Sequence, residues 1–159
     1  PRLPQGALAL HGCDKQMNTP TAPLTAQQVF DKVLFALRAQ GRAAVGSNNK
    51  CVYRAPNGDK CAFGHLIPDE LYRPRMETIS AREVLGISNA CDEVVINYRK
   101  YHNDEMTKLR QMFNSNIPDK LYSSLQSAHD SVLKSEGIEE WEKEMQRIAE
   151  HYKLNYTAP

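Results

Sequence analysis

Long apolar runs are missing from this 159-residue chain, and none approaches the roughly 18 residues that a membrane-crossing helix requires. An excess of one charge is missing too. Twenty Lys and Arg face nineteen Asp and Glu, so the net +1 provides no global field of the kind that draws proteins onto DNA. Cysteine is sparse: Cys13, Cys51, Cys61 and Cys91 contain no CxxC pair, which argues against a disulfide scaffold and gives no zinc-knuckle signal. Also absent are a glycine-rich phosphate loop, a helix-turn-helix with a basic recognition helix, and alternation of basic with aromatic residues. What remains is an ordinary globular composition, 41% apolar and 25% charged, at a length suited to one domain. The expectation is a cytoplasmic protein with reduced thiols, no cofactor, no membrane association and no nucleic-acid partner.

Residues 1–24, rich in Pro, Gly, Thr and Ala, read as a disordered leader. Met17 is the expected biological start, with 1–16 lying upstream. Residues 25–155 are expected to form one helical domain, and 156–159 a tail. Thr25-Ala-Gln-Gln28 is a capping box; Val29, Phe30, Val33, Leu34 and Leu37 then fall on one helical face, and Gly41 supplies the stop. Pro68–Tyr72 looks like one helical turn, and Ser80-Ala-Arg-Glu83 opens a short helix through Val84 and Leu85. Helical spacing continues in Val94, Val95, Tyr98 and Tyr101, and again in Met106, Leu109 and Phe113. Pro118 sits at a helix start; Leu121, Leu125 and Val132 line that helix up to Gly137. In the last helix Ile138, Trp141, Met145, Ile148 and Tyr152 form a stripe that reads as core.

Between these helices, Cys51–Arg54 and Lys60–Phe63 flank Pro56-Asn57-Gly58, whose residues are turn chemistry: Pro fixes the entry angle, while Asn and Gly accept positive φ. Two short runs around such a turn predict a hairpin lying against helices. The expected fold class is therefore mainly α, a compact helical domain with one inserted β-hairpin at about residues 51–63.

Charge is unevenly distributed. Arg38, Arg42, Lys50, Arg54 and Lys60 face only Asp59 across 38–60, whereas residues 111–159 carry five basic and eight acidic groups. That basic stretch suits an acidic partner, or is simply a solvated face.

The least generic residues are Cys51, Tyr53, Arg54, Gly58, Lys60-Cys-Ala62, Gly64, Leu66-Ile-Pro-Asp69 and Tyr72. Together with Leu125-Gln126, His129-Asp130 and Trp141, they resemble a family of small bacteriophage and bacterial proteins with the pattern C-x-Y-R, a turn containing Gly, K-C-A-x-G and L-I-P-D. The likeness runs from about Thr25 to Trp141. At the position of His65 the family more often has Cys. The resemblance implies a phage-type origin and brings no activity with it.

Three chemistries fit these residues. In a thiol hydrolase or transferase, Cys61 sits where a strand gives way to a helical turn, whose backbone N–H groups favour a thiolate. His129, pointing inward from its helix, is the base, with Gln126 or Asp130 nearby. Asp130 is the next residue, turned about 100° around an α-helix, and so poorly placed to orient the same ring. A buried histidine bonded to the hairpin backbone accounts for the same pattern. In a zinc site, Cys51, Cys61 and His65 are the ligands, with His129 as a fourth, though close-packed thiols explain the spacing equally well. In the third reading the segment is structural and the protein acts by binding a host or phage protein. Arg54 and Lys60 at the turn, with Arg42 and Lys50 in the preceding loop, then form the contact surface. This third reading is the expectation, because no catalytic set is complete.

Overall fold

A computed structural model describes residues 22–84, 103–113 and 116–159. The leader before Ala22, Cys13, Cys91, Leu85 and the helix expected over 91–101 lie outside the described residues. Helix α1 (Ala26–Gln40) begins with the expected capping box: Thr25 accepts from the Gln28 backbone N–H, and the Gln28 side chain accepts from Thr25 N at 2.8 Å. Gly41, at φ 69°, ends it by donating to the Leu37 carbonyl. Its apolar stripe is fully buried.

Short helices follow: α2 (Ala62–Leu66), a 3-10 turn (Pro74–Thr78) and α3 (Ala81–Val84). Next come α4 (Asn103–Met112) and α5 (Asp119–Ser127). A π-helical turn (Ala128–Leu133) extends α5, and α6 (Ile138–Tyr152) closes the domain. Helix α6 packs on the π-turn and α5, while α1 packs on α2, and the buried core draws on all of these elements together. Trp141 sits in it with no exposure.

The chain's end folds back over α1. Gln27 and Asn155 exchange hydrogen bonds, with the Gln27 side chain donating to the Asn155 carbonyl and accepting from its N–H. Arg38 grips the Glu142 carboxylate and the Thr157 carbonyl, and Tyr156 donates its hydroxyl to the same Glu142. The Arg38 guanidinium holds the Glu142 carboxyl below its usual range.

The expected β-hairpin over 51–63 is not present: no β-strand occurs among the described residues. The turn itself forms, with Gly58 at φ 91° and Ala55 N donating to the Asp59 carbonyl at 2.8 Å. Its arms do not extend: one isolated antiparallel bridge, Arg54 to Lys60, joins them, while Cys51 at the far end of the first arm bridges to Val45 instead. Two competitors explain this. On the first arm the backbone N–H groups of Tyr53 and Arg54 donate to the Glu77 carboxylate, at 2.7 and 2.9 Å, instead of to a neighbouring strand. The second arm turns helical at Ala62, because the Cys61 sulfur accepts from Gly64 N and serves as the N-cap of α2.

Candidate functional site

The π-turn is the unusual element of this fold. Its widened ring is closed by Lys134 N donating to the His129 carbonyl five residues back. Single π-turns inside α-helices are rare and concentrate at functional sites. A wider turn reduces the angular step between neighbours below the α-helical value, so adjacent side chains come closer than about 100° apart. This corrects the expected placement of Asp130. Its Oδ1 lies 2.7 Å from His129 Nδ1, so the carboxylate does orient the ring.

His129 has no exposure. Its Nε2 lies 2.9 Å from the Ala44 backbone nitrogen, which has only a hydrogen to offer. Nε2 therefore accepts, which puts the ring proton on Nδ1, where it is donated to Asp130. The ring is neutral, and the His129–Asp130 contact is a charge-assisted hydrogen bond rather than an ion pair. Asp130 Oδ1 also accepts from Gln126 Nε2 at 2.7 Å, and Gln126 Oε1 accepts from Phe63 N at 3.2 Å. One chain of polar contacts thus ties the loop at Ala44 to the π-turn, α5 and α2.

Cys61 is 1% exposed. Burial pushes its thiol up to about 12 and the charge of Asp130 adds to this, while the Gly64 N–H works the other way. Cys51 is half-buried, and its thiol is pushed up to about 11, again mainly by burial with Asp130 contributing. Both thiols are held protonated at neutral pH. Cys61 and His129 therefore sit in the same region, joined through Gln126 and Asp130, but neither activates the other. The thiol caps a helix, and the imidazole has both nitrogens engaged elsewhere.

The structure does not gather Cys51, Cys61 and His65 as a ligand set. Among the described residues, the one metal-type cluster is Cys51, His129 and Asp130, whose ligand atoms lie within 4.8 Å of one another. Its histidine has a single lone pair, which Ala44 N–H occupies, so ligation there requires breaking a buried hydrogen bond.

His65 instead meets Gln40 Oε1 at 3.2 Å. Its imidazole is lowered to about 4, first by burial and then by the charge of Lys60. An unfolded histidine titrates near 6.5, so between about pH 6.5 and pH 4 the unfolded chain binds a proton that the folded one refuses. Stability contributed here is complete above about pH 6.5 and falls with acidification through that window. Between about pH 7 and pH 5 the loss is expected to be on the order of 1 kcal/mol, reduced by the ring's partial exposure. His65→Gln is expected to flatten that part of a urea-midpoint profile; an unchanged slope counts against the assignment.

Three of the four expected contact cations are engaged within the fold. Arg42 holds Asp59 through two hydrogen bonds, at 2.6 and 3.2 Å. Arg54 pairs with Asp69 at 2.8 Å, donates to the Ile67 carbonyl and lies 4.2 Å over the Tyr72 ring. Lys60 pairs with the same Asp69 at 2.9 Å. Lys50 is exposed on the turn after Gly46, and Lys134 comes up beside it to donate to the Asn49 carbonyl.

A cleft of about 480 Å³ opens beside the π-turn. Val52, Ile79 and Ala81 give it apolar lining, and Cys51, Glu77, Gln126 and Asp130 polar lining. Ser123, Ser127 and Ser131, four residues apart along α5 and the π-turn, also line it. Two of these features escaped the sequence reading. The serine spacing is legible as a helical stripe, whereas Glu77 carries no local signal, because its partners Tyr53 and Arg54 are more than twenty residues away. Comparison of the chain with protein-family models, curated proteins and solved structures yields no match. Among the described residues, no helix is long and apolar enough to cross a membrane.

Proposed function

We propose that this is a small non-catalytic binding protein, of the phage-type origin that its motif resemblance implies, which docks onto a macromolecular partner in the host cytoplasm. The observation that carries this reading is the state of Cys61 and His129. A thiol enzyme needs an accessible thiolate within reach of a free imidazole nitrogen. Here the sulfur is buried, protonated and capping α2, while both ring nitrogens have other partners.

The docking face is the exposed turn at Lys50 with the neighbouring Lys134, which suits an acidic surface. Arg42, Arg54 and Lys60 shape the turn beside it through their internal ion pairs rather than offering free charge.

Two measurements test this. Mass-spectrometric mapping of iodoacetamide labelling is expected to find Cys61 modified at least about a hundredfold more slowly than an unstructured cysteine; labelling at the unstructured rate restores the thiol-enzyme reading. Tagged wild type is expected to retain a partner from bacterial lysate that Lys50→Glu/Lys134→Glu loses. Identical retained sets overturn the assigned face.

A further inference from the structure

We propose that the cleft beside the π-turn binds an alkyl cation, an ammonium or guanidinium group on an aliphatic chain, with Asp130 as its counter-ion. This goes beyond the docking turn at Lys50 and stands or falls separately.

The cleft volume of about 480 Å³ falls within the range of small-ligand sites. Among the described residues, its formally charged lining side chains are two carboxylates, Glu77 and Asp130. The two acids are not equivalent. Glu77 already accepts from the N–H groups of Tyr53 and Arg54 and from the Tyr72 hydroxyl. Asp130 accepts at Oδ1 from His129 and Gln126, and the half-buried Cys51 thiol also bonds its carboxylate. The Asp130 side chain remains 40% exposed, so the carboxylate keeps acceptor capacity on the cleft side.

The support behind Asp130 is rigid. The imidazole that orients it is fully buried and fixed in one tautomer by a backbone N–H, and the amide that braces it is anchored on α2. A carboxylate fixed on one side and open on the other meets a cation without paying to order itself. Ser127 and Ser131 add hydroxyl acceptors to the lining, which suit the several donors of a guanidinium, and Val52, Ile79 and Ala81 suit methylene groups.

The test is calorimetric titration of the full chain with n-butylguanidinium, agmatine and the neutral isostere n-butylurea. A capped Arg peptide and its citrulline counterpart form a second arm, which separates a free small molecule from a polypeptide side chain as the source. Wild type is expected to bind the cations at least about tenfold more tightly than their neutral partners.

Asp130→Asn keeps an oxygen to accept from His129 and Gln126 while removing the charge, and is expected to lose at least about tenfold in cation affinity. Its fold is checked by the emission of the buried Trp141. Ser131→Lys, on an exposed position, tethers an ammonium at the rim and is expected to block added cations to a similar degree. Equal binding of butylguanidinium and butylurea overturns the proposal. So does the absence of cation binding at about 10 mM, or unchanged cation affinity in either folded variant.

Discussion

Gly64→Ala is expected to abolish the native fold or leave it barely populated. A Cβ at this position falls 1.9 Å from the Tyr53 carbonyl oxygen and 2.9 Å from its carbon, distances no side chain can occupy. The obstacle is backbone, so no rotamer change relieves it. Retreat is also blocked. Gly64 N donates to the Cys61 sulfur that starts α2, and the same Tyr53 carbonyl accepts from Cys61 N at 3.2 Å. Moving Gly64 away loosens the cap and the one bridge that closes the ribbon. Ordinary overpacking costs about 1–3 kcal/mol; a backbone clash at a crossing point is expected to cost about 4 kcal/mol or more, a large part of a typical domain's stability. Urea denaturation followed by Trp141 fluorescence reads this directly. A loss below about 1 kcal/mol means that the two segments do not approach as described.

His129→Leu is expected to cost about 3 kcal/mol, although leucine fills a buried site well. The penalty comes from what is left behind. Ala44, itself without exposure, keeps an N–H that has lost its acceptor, and Asp130 loses the donor that orients it. Adding Asp130→Ala to His129→Leu is expected to cost less than the sum of the two single changes, because their shared bond can be lost only once. Strict additivity in the urea midpoints would show that the two residues do not act as one unit.

Both variants probe places where the sequence was only partly legible. The outer helices could be read in full: α1 announces itself by its capping box, five periodic apolar residues and Gly41, and α6 by the Trp141 stripe. The middle could not. Pro56-Asn57-Gly58 specifies a turn but says nothing about how far its arms run. Glu77 reaches the first arm from far along the chain, and cysteine is not an expected N-cap, so nothing nearby warned that Lys60–Phe63 would turn helical.

The π-turn shifted the register after Leu125. A regular helix buries Val132, whereas here Leu133 is the buried residue and Val132 is only partly covered. That His129 faces inward was legible from its spacing to Leu125. Its partner Ala44 was not, because a backbone N–H carries no side-chain signature. Asp130 was discounted by α-helical geometry that the turn does not obey.

The folded-back terminus has a consequence for how the molecule opens. Gln27 and Arg38 stand near opposite ends of α1, and both hold residues beyond the end of α6. Neither helix can unravel from its outer end without releasing the other. The two are expected to exchange as one cooperative unit, with the hydrogen-bonded amides of Leu154 and Asn155 protected as members of that unit rather than as a frayed end.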